Sequence, residues 1–116
     1  MARVLITGCS TGIGRATAVE LTARGHQVVA TARRPDSLAG LEVAERLALD
    51  VDDTASVQAA VAAAGSVDVL VNNAGWESAG PVEKADLDEV RAMFETNLLG
   101  TARMVQAVLP AMREQG

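Results

Sequence analysis

Four short apolar runs recur along the chain at roughly twenty-residue spacing, and this rhythm limits the fold more than any other feature. The runs are Val4–Thr7, Gln27–Thr31, Arg46–Asp50 and Val67–Val71. Each is continuous rather than alternating, as expected for strands covered on both faces. The first two flank a stretch that reads as a helix from about Gly12 to Arg24, ending at Gly25. The last two flank another, Thr54 to Ala64, ending at Gly65. Glycine suits the left-handed position just past a helix. The link after the second run, Pro35 to about Leu41, is shorter. Strands alternating with helices need crossover connections, so the sheet is expected to be parallel. The fold class expected is α/β, a doubly wound parallel sheet of which this chain supplies about the first half (βαβαβαβα). In the strand order 3-2-1-4 usual for such a sheet, the fourth strand lies at an edge, where unpaired backbone groups invite another chain.

After Gly75 the sequence turns irregular from Trp76 to Ala85, and a long helix is expected from about Leu87 to Arg113. Its apolar positions, Leu87, Val90, Phe94, Leu98, Val105, Val108 and Met112, predict one buried face. Asn97 follows Phe94 by three positions and is expected to lean toward that face. At 116 residues, 49% of them apolar, the chain is one domain, residues 1–116. Its net charge of −5 argues against nucleic acid or an anionic membrane as partner. One cysteine gives no disulfide framework, and the first apolar run is too short for a signal peptide or a membrane span. A cytoplasmic location is expected.

Four segments carry chemistry. Thr7-Gly8-Cys9-Ser10-Thr11-Gly12-Ile13-Gly14 lies between the first strand and the first helix. Its glycines allow a tight turn and close backbone approach to a pyrophosphate, and the helix N-terminus adds free donors. The alternative is a plain strand-to-helix turn. A phosphate-binding P-loop is excluded, because no Gly-Lys-Ser/Thr follows. At the end of the second run, where dinucleotide folds often place an acidic residue for the ribose 2′-OH, stand Arg33 and Arg34. Guanidinium groups there suit a 2′-phosphate, which favours NADP(H) over NAD(H); otherwise the pair begins a solvated turn. Asp50-Val51 ends the third run: Asp50 either accepts from an adenine amino group, with Val51 against the ring, or caps the next helix. Asn72-Asn73-Ala74-Gly75 ends the fourth, with small residues that admit a ligand and amides that tie loops together. All four fall at the carboxyl ends of expected parallel strands, the edge where such sheets bind ligands.

Thr7–Gly14, Asp50-Val51, Asn72–Gly75 and Asn97 together resemble the N-terminal half of a short-chain dehydrogenase/reductase of the group with a TGxxxGIG loop, and the likeness runs through essentially the whole chain. The resemblance implies a Rossmann fold with Gly8, Ser10, Thr11, Gly12, Ile13 and Gly14 along the pyrophosphate. It further implies Arg33, with Arg34 beside it, at the 2′-phosphate and Asp50 and Val51 at the adenine. Asn73, Ala74 and Gly75 would run toward the nicotinamide ribose. Asn97 matches the family's catalytic asparagine, which holds a water and a lysine; a helix irregularity near Asn97 and Gly100 is the other reading of that segment. No metal site is implied.

The pattern departs from the family in one respect. The family uses a tyrosine as general acid/base, a lysine four residues later and a serine, and this chain has no tyrosine. Its only lysine, Lys84, falls in the irregular stretch. His26, at the amino end of its strand, is expected on the surface. Cys9 sits near a helix N-terminus, a setting that acidifies thiols, but reads as a small loop residue. Trp76 either borders a substrate pocket or lies on the surface. The expectation is therefore the cofactor portion of an oxidoreductase acting on a small carbonyl or alcohol, inactive on its own. The alternative is a non-catalytic fragment that binds a nucleotide or self-associates, and a homo-oligomer is expected. A flavodoxin-like fold binding a flavin phosphate fits the alternation but not Asn72–Gly75.

Overall fold

The computed structural model describes all 116 residues, Met1–Gly116. Arg3–Ile6 (β1), Gln27–Ala32 (β2), Glu45–Ala48 (β3) and Val69–Val71 (β4) form one sheet in the order β3-β2-β1-β4. Every pairing is parallel, with Val4 opposite Val28 on one side and Val69 on the other. Parallel neighbours need a return path across the sheet. Gly12–Ala23 (α1) returns the chain from β1 to β2, and Thr54–Ala64 (α2) from β3 to β4. Between β2 and β3 the link holds only a 3-10 turn, Pro35–Leu38. Beyond β4 come a 3-10 turn at Val82–Lys84, then Leu87–Phe94 (α3), a π-helical segment Glu95–Gly100, and Thr101–Gln115 (α4). This is the strand order of the first half of a doubly wound Rossmann sheet, as expected from the sequence.

Local chemistry accounts for the helix limits. The carboxylate of Asp53 accepts from the backbone N–H groups of Ala55 and Ser56 at 3.0 and 3.3 Å and so starts α2. Past α1 and α2 stand Gly25 and Gly65, with φ of 89° and 73°, a region that side chains disfavour. The continuous apolar runs are explained by burial on both sides. Leu5 and Val29 face Val57, Ala60, Ala64, Met104 and Val108, the layer of α2 and α4. Their neighbours Val4, Ile6, Val28 and Ala30 enter a second core with Cys9, Ala18 and Leu38, beneath α1. Leu49 and Val67 are buried yet lie outside β3 and β4, so apolar burial extends beyond the hydrogen-bonded ladder.

The long C-terminal helix departs from expectation. Leu87 and Phe94 are 64% and 59% exposed, and Leu98 and Val105 also face outward. Val108 is buried and Met112 packs against the core as expected, and the other buried positions are Gly100 and Met104. The π-helical segment widens the turn, so a stripe drawn at α-helical spacing across it does not stay on one face. No helix is long and apolar enough to cross a membrane.

Candidate functional site

At the carboxyl end of β1, Thr7 leaves the sheet fully buried. Its backbone N–H donates to the Val71 carbonyl at 3.1 Å, in the adjoining strand β4. Its Oγ1 accepts from the N–H groups of Asn73 and Ala74 at 3.0 and 2.9 Å. Asn73 Nδ2 returns two bonds, to the carbonyls of Thr7 and Gly8 at 3.1 and 3.0 Å. The Gly-rich loop and the Asn72–Gly75 segment are thereby joined into one rigid floor. Gly14 closes it from the helix side: a Cβ there would stand 2.2 Å from the Gly8 carbonyl oxygen and 2.3 Å from Asn73 Nδ2. Only glycine lets α1 start this close to the loop. Thr11, the residue preceding α1, makes no side-chain cap bond. The first-turn N–H groups of α1 consequently lack a side-chain acceptor, the condition in which a helix start holds an anion.

The opposite wall is built from the segment after β3 and from the π-helical turn. The backbone N–H of Asp50 donates to Ser56 Oγ at 2.9 Å, and its carboxylate accepts from Asp52 N–H at 3.0 Å. The helix cap anticipated as one role for Asp50 is taken by Asp53, which leaves Asp50 at the cleft. Val51 is buried in the core. Its carbonyl accepts from Arg103 Nη1 at 3.0 Å, and Arg103 also pairs with Glu95. Asn97 does not turn inward with the core as its spacing suggested. Its Oδ1 accepts from Trp76 N–H at 3.0 Å and its Nδ2 donates to the Trp76 carbonyl at 2.7 Å. A Cβ on Gly75 would lie 2.8 Å from that same Oδ1, so the Asn97 amide fits against bare backbone. The helix is irregular here, as one of the two sequence readings of this segment has it, and the Asn97 amide is bound to the Trp76 backbone.

Between these walls lies a cleft of about 730 Å³, within the range of small-molecule sites. Of the residues singled out from sequence, Gly8, Ser10, Thr11, Ile13, Arg33, Asp50, Val51, Asn73, Ala74 and Gly75 line it. Gly12, Gly14, Arg34 and Asn97 do not; they shape it from behind or lie beside it. Thr7, which heads the Gly-rich segment, also lines the cleft, and sequence reasoning missed Asp52, Glu95 and Thr96. Asp52 carried a signal, its place directly after Asp50-Val51, but Glu95 and Thr96 depend on a helix register the sequence does not disclose. Arg33 is the only cation in the lining, against the carboxylates of Asp50, Asp52 and Glu95. It forms no ion pair, whereas Arg3, Arg24, Arg91 and Arg103 each have one.

Three residues outside the cleft differ from or refine their expected settings. Cys9 is fully buried and donates to the Ile6 carbonyl at 3.4 Å. Burial pushes its thiol up, against smaller lowering contributions from the Thr31 backbone and the Arg15 charge, so the thiol is not acidified. His26 is half-buried rather than on the surface, its Nδ1 accepting from Ala2 N–H at 3.0 Å. Lys84 is exposed on its 3-10 turn.

Residues 2–116 match the family model described as short chain dehydrogenase. Among curated relatives, a 3-ketodihydrosphingosine reductase of Bacteroides thetaiotaomicron is 41% identical over 115 residues, covering 96% of this chain and 42% of that protein. A short-chain dehydrogenase from Streptomyces avermitilis superposes with a TM-score of 0.89 at 41% identity, over 98% of this chain and 45% of the other. A 3-ketoacyl-(acyl-carrier-protein) reductase from Brucella melitensis, crystallised with NADH, gives a TM-score of 0.91 at 31% identity, over 98% of this chain and 51% of its own. The chain thus spans 40% to 42% of the length of the first curated relatives it matches.

Proposed function

The chain belongs to the short-chain dehydrogenase family, and from that membership we propose that its cleft is the cofactor site of an oxidoreductase acting on a carbonyl or alcohol. The family's chemistry is hydride transfer, supplied by a nicotinamide dinucleotide when one is bound. The residues here fit such a group. The α1 start and the loop from Gly8 to Gly14 would hold its pyrophosphate, Asp50 and Val51 its adenine, and Asn73 to Gly75 the length running toward the nicotinamide ribose. Asn97 acts at the reacting end, through the backbone it holds at Trp76. The chain contains no tyrosine, so these 116 residues bind the cofactor and do not by themselves reduce a substrate.

The observation that carries the cofactor preference is Arg33, unpaired and the one cation of a cleft whose other charged residues are Asp50, Asp52 and Glu95. An uncompensated guanidinium favours a ligand carrying an extra phosphate, hence NADP(H) over NAD(H). Arg34, beside it on the surface, adds to the local positive potential. Titration calorimetry of Arg33→Ala tests this. NADPH affinity should fall about tenfold or more, the worth of a charge-assisted contact, while NADH affinity changes little. Equal losses for both cofactors refute the preference.

A second reading, self-association without catalysis, draws on the outward-facing Leu87, Phe94, Leu98 and Val105. The two are compatible: the same apolar stripe would make the cofactor-binding unit a homo-oligomer.

A further inference from the structure

Trp76, the only tryptophan of the chain, is held at three points. Asn97 binds both of its backbone groups, and its indole Nε1–H donates to Thr96 Oγ1 at 3.3 Å. Thr96 in turn donates to the carboxylate of Asp52, with Oγ1 lying 2.8 and 3.0 Å from the two oxygens. The order of donors in this chain is fixed by chemistry. A threonine hydroxyl has one proton, and an ionised carboxylate can only accept. Asp52 therefore commits the Thr96 proton and leaves a hydroxyl lone pair for the indole N–H. All three residues line the same cleft: Asp52 next to Asp50 and Val51, Trp76 directly after Gly75. We infer that Asp52 and Thr96 are positioning residues for Trp76, and that the three together fix one stretch of the cleft wall beside the Asp50–Val51 segment. Asp52 makes no hydrogen bond to Trp76 itself; it acts through the polarity it imposes on Thr96. The backbone of Trp76 is already ordered by Asn97, so holding the indole costs only the freedom of its side chain.

The consequence for binding rests on the cofactor reading above. Asp52, Thr96 and Trp76 all line the cleft, so loss of the relay should weaken binding of the dinucleotide there.

The test has two readouts. In the 1H–15N spectrum of the 116-residue chain, the one indole resonance reports the Nε1–H bond without any ligand. Thr96→Val and Asp52→Ala should both move it, and Thr96→Ser should leave it near its original place, with the other amide resonances reporting an intact fold. An indole resonance that Asp52→Ala leaves unmoved overturns the relay. In calorimetry, Thr96→Val should lower NADPH affinity about three- to tenfold, the worth of one neutral hydrogen bond, and Thr96→Ser should leave it unchanged. Equal losses in the two variants, or no loss in either, overturn the positioning role. If NADPH does not bind the unaltered chain, the cofactor reading falls, while the indole resonance still decides the relay.

Discussion

Thr7 ties more of the site together than any other residue lining it. One hydroxyl oxygen accepts two backbone N–H groups, those of Asn73 and Ala74, while the residue's own backbone bonds to Val71 and to the Asn73 side chain. Thr7 is buried and Asn73 and Ala74 are half-buried, a setting where an unmet donor is costly. Replacing Thr7 with valine keeps the shape and removes the acceptor. The stability cost should be about 2–4 kcal/mol, two stranded N–H groups at roughly 1–3 kcal/mol each with partial relaxation. Urea unfolding measures it, and Thr7→Ser, which restores the oxygen, should recover most of the loss. A valine variant as stable as the parent would mean that the Asn73–Ala74 turn finds other acceptors.

Elements show where the sequence is readable and where it is not. The start of α2 lay within reach of three carboxylates, Asp50, Asp52 and Asp53, any of which composition alone would accept as a cap. Geometry selects Asp53, and Asp53→Ala should cost about 1 kcal/mol, read as a lower urea midpoint at unchanged slope. The equivalent change at Asp50 should leave stability nearly unaltered if that carboxylate serves the cleft. The strands, the crossover helices and the glycines that end them were legible because each is specified within its own segment: a buried run, a cap, a breaker. Ten of the thirteen positions expected at a cofactor line the cleft for the same reason, since they lie at or just past strands whose ends share one edge. An irregularity near Asn97 and Gly100 was legible, but not the form it takes. Nothing in Glu95–Gly100 specifies a wider turn locally; the segment is held by ties to its surroundings, Arg103 to Val51 and Glu95, and Asn97 to Trp76. Without that turn Leu98 and Val105 were assigned to the buried face, and Glu95 and Thr96 were missed.

The molecule as a whole is broader than its length suggests. Its radius of gyration is 14.8 Å and its extents are 48 × 31 × 21 Å, whereas a compact domain of this size has a radius of about 13 Å. The difference lies with an open flank, where Leu87, Phe94, Leu98 and Val105 stand exposed. Sedimentation equilibrium should find reversible self-association, strengthened by salt because copies of net charge −5 repel one another. Leu98→Glu should shift the equilibrium to monomer, and a parent chain that stays monomeric at high concentration and high salt would remove the oligomer from the proposal. The sheet order also has a consequence for how the protein is made. β1 occupies an inner position, yet one of its flanks is filled by a segment 65 positions later in the chain, where Arg3 meets Asp68. At about 5–20 residues per second, a ribosome needs roughly 3–13 s to supply that partner. Through that interval the Gly-rich loop is synthesised but has no Asn73 to lean on, so the nascent chain carries its binding motif well before it carries a binding site.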